Sequence, residues 1–270
     1  MKGRLKRLWV FLLLSSFAGY PSEAAFCRDR LSGSDQNLAA CVSYLTLRKD
    51  FVYLPVTWKS SMVTAAVVYK LRYGRFRHSF QITYGQGNHI RVNGRSRPGD
   101  DYFLLWDLSY DFVWYKARSE GRQKLSWGLG FSVQSLQLRQ KVRVSSGKQN
   151  EHRDEFWGVG PVFGVIRESS ERKLSAGLHV SLLAGLPGAS KSIIKSEGLY
   201  SDESYLHWLK MKCTLELVYG LSQTCGIEFR LTRETYVYGR CQGADFRLHR
   251  SFSGGTLLFN SCRLGLRYDI

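Results

Sequence analysis

Hydrophobic and polar residues alternate with a period of two along most of the chain from Met62 to Ile270. This period is typical of β-strands whose two faces meet different surroundings. One face of each run is apolar and often aromatic, and the other is polar, charged or glycine-rich. The runs cover residues 63–73, 79–85, 104–114, 126–134, 157–165, 174–182, 209–219, 227–234 and 258–270. The sequence therefore predicts an all-β, antiparallel structure.

Short and long connections between these runs alternate along the chain. The short ones are predicted at 74–78, 116–124, 168–173 and 220–224, and the long ones at 86–101, 140–155, 186–204 and 239–254. A transmembrane β-barrel has this alternation because its turns lie on one side of the membrane and its loops on the other. With the C-terminus on the periplasmic side, the first of the nine runs descends from outside, so an ascending strand must precede it within Asn37–Trp58. We place this strand at Leu38–Leu47, with Arg48–Ser61 as the first outer loop. The prediction is a barrel of about ten strands, with eight or twelve as alternatives.

The N-terminus has the layout of a secretory signal peptide. Basic residues within 2–7 precede the apolar stretch Leu8–Tyr20, and small residues follow at Ser22, Ala24 and Ala25. This order is that of a cleaved export signal. We therefore divide the chain into a signal peptide at 1–25 and a single barrel domain at 26–270. No later window reaches the roughly 18 continuous apolar residues of a membrane helix.

The predicted inner face carries charges of both signs. The residues expected to form an ion-pair network in the lumen are Lys70, Arg72, Asp107, Asp111, Lys210, Lys212, Glu216, Glu228, Arg230, Glu234, Arg263 and Arg267. Charges away from bulk water must pair. The interior is therefore predicted to be filled by side chains rather than to form an open pore. A soluble β-sandwich is the alternative, and the many aromatic residues near the strand ends argue against it.

The last eight residues, 263–270, resemble the C-terminal targeting signal of bacterial outer-membrane β-barrel proteins. Arg263, Gly265, Tyr268 and Ile270 match its polar, glycine and hydrophobic positions, with Ile270 in place of the usual final aromatic residue. The resemblance implies export to the outer membrane and insertion by the barrel-assembly machinery. It covers about Leu38–Ile270 at the level of pattern.

The chain has 39 Lys and Arg against 22 Asp and Glu, a formal net charge of +17, and several predicted outer loops are basic. An exported barrel meets little nucleic acid, so we expect no nucleic-acid partner. The expected partners are outer-membrane lipid and lipopolysaccharide phosphates, with an envelope protein as a further candidate. Six cysteines remain after residue 25, without a Cys-x-x-Cys pair, and no pairing is predicted. No cofactor or metal motif is present, so neither is expected.

Two groups of residues are weak candidates for catalysis. His179 and Ser181 resemble part of the lipid A deacylase constellation, although the strand period places them on the inner face. The ten strands also resemble those of omptin proteases, in which two acidic residues face an Asp/His pair across the barrel mouth. The candidates there are Asp100, Asp101, His152 and Asp154, which the sequence places in outer loops at the rim. The omptin motifs are Asp-x-Asp and Asp-x-His. In this chain Asp100 and Asp101 are adjacent, and His152 precedes Asp154.

These observations together predict a monomeric outer-membrane barrel that is not an enzyme. The favoured role is a binding, assembly or secretion-accessory component that acts through its loops or turns. A hydrolase at the rim, either omptin-like or lipid A-modifying, is one alternative. A narrow channel is the other, and the charged interior argues against it.

Overall fold

A computed structural model of the protein describes most of the chain from residue 34 to residue 270. The gaps lie at 52–56, 89, 97–101, 121–122, 144–148, 170–173, 187, 197–198, 206, 240 and 243–253. The predicted signal peptide, Cys27, Asp100 and Asp101 therefore fall outside the described residues. Within them, no helix has the length and apolar character needed to cross a bilayer.

The described chain folds almost entirely into β-strands. They are β1 (Ser34–Phe51), β2 (Thr57–Tyr73), β3 (Phe76–Gly87), β4 (Ile90–Val92), β5 (Arg95–Ser96), β6 (Tyr102–Glu120), β7 (Gln123–Arg143), β8 (Gln149–Ser169), β9 (Leu174–Gly185), β10 (Lys191–Ser196), β11 (Leu199–Tyr205), β12 (Trp208–Gly220), β13 (Cys225–Tyr238), β14 (Cys241–Gln242) and β15 (Gly255–Asp269).

Ten of these strands close into one antiparallel barrel. Around the ring they follow the order β1, β2, β3, β6, β7, β8, β9, β12, β13, β15. The last strand pairs with the first over fifteen residue pairs, from Asn37 with Asp269 to Phe51 with Gly255. Closure leaves no free sheet edge along the wall. The prediction of an all-β, ten-stranded antiparallel barrel is confirmed.

Short strands lengthen the wall at the end of the barrel that carries the long connections, which we call the outer end. β4 continues the pairing of β2, and β5 pairs with β4. β10 pairs with β8 at residues 151–155, beyond the point where β9 stops, and β11 then pairs with β10. The wall on the β8 side is thus a continuous sheet that extends past the end of β9.

Several strands are longer than the alternating pattern predicted. β1 runs from Ser34 to Phe51, so much of the predicted first outer loop at 48–61 is strand. The predicted loop at 140–155 is also mostly strand, because β7 ends at Arg143 and β8 begins at Gln149. The prediction stopped where the apolar face became polar. Backbone pairing continues there because hydrogen bonds between strands do not depend on which face meets lipid.

An apolar band surrounds the barrel. Outward-facing side chains in it include Val42, Tyr44, Val63, Val67, Ile82, Trp106, Trp114, Trp127, Leu129, Phe131, Phe163, Leu178, Leu215, Leu264 and Leu266, all of which are exposed. Toward the outer end, outward positions become charged, as at Arg48, Lys59 and Arg233. A lipid-facing band bounded by polar residues is the surface that an outer-membrane barrel requires.

The interior changes character along the barrel axis. The outer half contains one apolar cluster, the apolar plug, formed by Leu45, Leu47, Met62, Ile90, Phe103, Leu105, Leu136, Leu138, Phe156, Leu183, Trp208, Tyr236, Tyr238, Leu257 and Phe259. Below it lies a layer of charged side chains, the ion-pair layer, formed by Lys70, Arg77, Asp107, Lys210, Lys212, Glu216, Glu228, Arg230, Glu234 and Arg263.

Candidate functional site: the barrel interior and the outer face

The ion-pair layer joins opposite walls of the barrel. The Lys70 ammonium on β2 lies 2.6 Å from Glu216 Oε1 on β12 and 2.7 Å from Glu228 Oε2 on β13. Arg77 on β3 reaches Glu216 at 3.3 Å, and β3 and β12 are five strands apart in the ring of ten. Arg230 binds both carboxylates, at 3.2 and 2.6 Å. These side chains therefore cross the lumen and connect its opposite walls.

A second group of ion pairs lies between the first group and the apolar plug. Glu234 is 2.9 Å from the Lys210 ammonium and 3.6 Å from that of Lys212. Lys210 also donates to Gln134 Oε1, and Gln134 Nε2 donates to Asp107 Oδ1 at 2.5 Å. Among the described residues, Asp107 is thus held by an amide rather than by a direct ion pair.

The remaining predicted lumen residues lie nearer the opposite end of the barrel. Arg72 on β2 pairs at 2.8 Å with Glu168 on β8, four strands away in the ring. Arg267 pairs with Asp269 two residues later on its own strand. Asp111 lines a cavity and has no ion pair among the described residues. The network is therefore dense in the middle of the barrel and sparse at this end.

Sequence reasoning missed two of the cross-lumen partners. Arg77 and Glu168 fell in predicted turns at 74–78 and 168–173, whereas the structure places them on β3 and β8. Their positions keep the inward parity of their strands, so extending each run by its parity would have found them. Gln81 and Gln134 were also missed, because a neutral amide gives no charge signal.

Little space remains inside the barrel. A cavity of about 40 Å³ lies between the ion-pair layer and the plug, lined on one side by Leu105 and Phe259 and on the other by Arg230 and Arg263. A second, of about 50 Å³, lies next to His179. Each has room for a few water molecules. Residues of the ion-pair layer line both cavities, and residues of the apolar plug also line the first.

A separate polar cluster lies at the outer end of the lumen. The Lys49 ammonium on β1 is 2.6 Å from Asp154 Oδ2 on β8, and both side chains are fully buried. His152 Nε2 lies 2.8 Å from Ser192 Oγ and 3.0 Å from Asp154 Oδ1, while its Nδ1 is 3.3 Å from Lys49. Because β1 and β8 are five strands apart, this cluster also joins opposite walls.

The geometry of His152 differs from that of the histidine in a serine-activating triad. An ammonium can only donate, so Lys49 assigns the lone pair of His152 to Nδ1 and the proton to Nε2. A base that activates a serine needs the opposite arrangement, with Nε2 free to accept the hydroxyl proton. His152 and Asp154 also lie on β8 with buried side chains, not in a rim loop as predicted. β8 continues as a strand through the region predicted to be a loop, so the inward-facing side chains of His152 and Asp154 lie inside the barrel.

The other candidate pair, His179 and Ser181, lies on the inner face of β9, as the period predicted. Both line the 50 Å³ cavity. Gly164 and Gly177 flank the His179 ring, and a Cβ at either would lie about 3.0 Å from a ring nitrogen, so the two glycines make room for it. Among the described residues, no hydrogen bond joins His179 to Ser181, and His179 Nε2 has no hydrogen-bond partner.

The four residues of the proposed targeting signal occupy two faces of β15. Arg263 and Gly265 point inward, and Tyr268 and Ile270 point outward, where they are 57% and 70% exposed. Gly265 packs so close to Cys41 that a Cβ there would meet the Cys41 Sγ. The alternation of these four positions fits a strand that seals the barrel against β1.

The outer ends of β7, β8 and β10 form a charged surface, which we call the outer face. Its outward polar side chains are Gln137, Arg139, Lys141, Glu151, Arg153, Glu155, Lys191 and Lys195, and the outward Ile193 lies between the two lysines of β10. Arg139 pairs with Glu151 at 2.9 Å, and Arg153 pairs with Glu155 at 2.7 Å. Lys195 lies over the ring of Tyr200, 5.8 Å from its centroid. Five cations and two carboxylates give this face a net positive charge.

No protein-family model matches the sequence, and no curated protein matches it significantly. Among solved structures, the outer membrane protease OmpT of Escherichia coli is similar at 9% identity, with 88% of this chain and 96% of that chain covered and a TM-score of 0.44. The translocator domain of the autotransporter NalP of Neisseria meningitidis is similar at 13% identity, covering 91% and 95%, with a TM-score of 0.42. The attachment invasion locus protein Ail of Yersinia pestis is similar at 10%, covering 87% and 99%, with a TM-score of 0.35. The fold itself rests on the strand pairing: this chain is a closed, antiparallel β-barrel of ten strands.

Proposed function

We propose that the protein is a non-conducting outer-membrane barrel that acts as a binding component through its outer face. The observation that carries the proposal is the division of the molecule along its axis. Its lumen is closed by ion pairs and by the apolar plug, whereas β7, β8 and β10 continue beyond the apolar band as an exposed, basic sheet. The accessible chemistry is therefore on the outside of the barrel.

The position of the outer face favours phosphate-bearing lipid of the outer leaflet as its partner. Along β7, the outward positions pass from Leu129 and Phe131 to Arg139 and Lys141 without leaving the strand. The charged positions thus continue the lipid-facing wall into the headgroup layer. Basic side chains at that depth attract anionic headgroups by about 1 kcal/mol each. Lipopolysaccharide phosphates fit this charge and this height.

Binding of purified lipopolysaccharide to the folded barrel in detergent tests this partner. Lys141→Gln combined with Lys195→Gln is expected to weaken binding about 10-fold or more. Lys59→Gln combined with Arg233→Gln removes the same charge from outward positions on β2 and β13 and serves as the matched control. Equal loss in both pairs would reject a specific outer face, and enzymatic removal of the lipid phosphates should abolish the difference.

Conductance across a planar bilayer tests the closed lumen. The wild-type barrel is expected to insert without stable current steps, because the cross-lumen ion pairs and the plug would have to open together. Steady ohmic steps from the wild-type protein would contradict the proposal and favour the channel. Peptidase activity that is lost in His152→Ala but kept in Lys59→Gln would instead favour the hydrolase.

A further inference from the structure

Two buried arginines face each other inside the barrel without enough negative charge to balance them. Arg230 on β13 and Arg263 on β15 are direct cross-strand partners, and both point inward. Each is 8% exposed. Like charges directly opposite each other on neighbouring strands repel. This pair therefore needs a compensating group.

The described contacts supply that group for Arg230 but not for Arg263. Arg230 binds Glu216 and Glu228. Arg263 donates to Gln81 Oε1 at 2.9 Å and has no carboxylate partner. Arg230 donates to the same oxygen at 3.3 Å. One neutral amide oxygen thus serves two guanidinium groups.

The charges of the ion-pair layer do not balance as a set. Six cationic side chains face four carboxylates, and Asp111, at the second cavity, adds a fifth. The cations are Lys70, Arg77, Lys210, Lys212, Arg230 and Arg263, and the carboxylates are Asp107, Glu216, Glu228 and Glu234. An uncompensated charge in a closed interior is strongly unfavourable. At least one negative charge is missing from the layer.

The 40 Å³ cavity lies where that charge is needed. Arg230, Arg263 and Lys212 line it, together with hydroxyl groups such as Thr232 and Ser261. Cationic groups and hydroxyl donors are the ligands that a small anion takes, and a space with room for a few water molecules accommodates a halide ion. The carboxylates of Asp107 and Glu234 also line the cavity, so the anion would lie on the arginine side.

We propose that the barrel encloses a halide-sized inorganic anion between Arg230 and Arg263. The anion balances the excess of buried cations and joins β13 and β15 to the rest of the ion-pair layer. It is a structural ligand acquired during folding, since the plug and the ion pairs close the site afterwards. This site is independent of the outer face and of its partner.

The test is to refold the full barrel in sodium bromide or in sodium gluconate at equal ionic strength, because gluconate is too large for the cavity. The midpoint of heat unfolding, followed by the gel shift between folded and unfolded forms, is expected to be about 5–10 °C higher in bromide at about 100 times its Kd. Arg263→Gln should remove this difference. Arg267→Gln, which changes an equivalent charge at the end of the same strand, should keep it.

Anomalous X-ray scattering from crystals grown in bromide gives a direct readout. A bromine peak between Arg230 and Arg263 that is missing in Arg263→Gln supports the site. Equal midpoints in the two salts for the wild type, the same salt difference in Arg263→Gln, or only water in the cavity would overturn it. In vitro refolding keeps any effect of Arg263→Gln on the targeting signal out of the comparison.

Discussion

The two halves of the barrel interior are filled differently, one by ion pairs and the other by apolar side chains. At the level of the apolar band, outward positions are hydrophobic, and the inward positions hold the ion-pair layer together with neutral polar residues and two small apolar clusters. Toward the outer end the phase inverts on the same strands. On β1, the inward positions change from Ser43 to Leu45 and Leu47, while the outward positions change from Val42 to Arg48. The strand presents its apolar face to whichever side lacks water, which is lipid in one half and the lumen in the other.

This inversion explains why the two regions depend on different forces. In the ion-pair layer, stability depends on charges that satisfy one another, so each partner is needed by several others. In the plug, stability depends on contact between apolar side chains, as in a water-soluble core. The two halves should therefore respond differently to the same kinds of substitution.

The largest effect is expected from Glu216→Gln. Glu216 accepts from Lys70, Arg77 and Arg230, and its neutralisation would leave those cations buried with one carboxylate fewer. The free energy of unfolding should fall by about 3–5 kcal/mol. Denaturant unfolding in detergent micelles, followed by tryptophan fluorescence, measures it. Asp269→Asn breaks a partly exposed pair and should cost less than about 1 kcal/mol; a similar loss in both variants would show that the network is not cooperative.

A smaller effect is expected from Leu138→Ala in the plug. Leu138 is fully buried, and its truncation should lower the free energy of unfolding by about 2–5 kcal/mol through lost contacts and a cavity. Leu129→Ala makes the same change on the same strand but on the lipid-facing side, where detergent or lipid refills the space. The same unfolding assay compares them. If Leu129→Ala proved as costly as Leu138→Ala, the plug would not behave as a packed core.

The smallest effect is expected when the buried pair at the outer end is replaced as a whole. Lys49→Met alone should cost about 3–5 kcal/mol, because it leaves Asp154 buried without its ammonium. Adding Asp154→Leu should restore stability to within about 1 kcal/mol of the wild type, since apolar side chains suit the neighbouring plug. The same double replacement of Lys70 and Glu216 should remain destabilising, because Arg77, Arg230 and Glu228 would lose partners. Recovery in both double variants would remove the distinction between the halves.

Much of the fold could be predicted from the alternation of residue types. A period of two, together with alternating connection lengths, was enough for ten antiparallel strands and for the inward position of Lys70, Glu216 and Arg230. Strand ends were predicted less well, because the pattern was followed only while the outward face stayed apolar. The inversion from Ser43 to Leu45 and Leu47 was present in the sequence and would have shown that β1 continues.

The sequence by itself determined which side of the barrel wall each strand residue faces, because successive side chains along a strand point to opposite faces. Only the tertiary structure decided which inward residues meet. Lys49 and Asp154 are 105 residues apart, and closure of the ring brings their strands to opposite walls at one height. Their contact depends on register and barrel width, which are properties of the whole sheet rather than of any one strand.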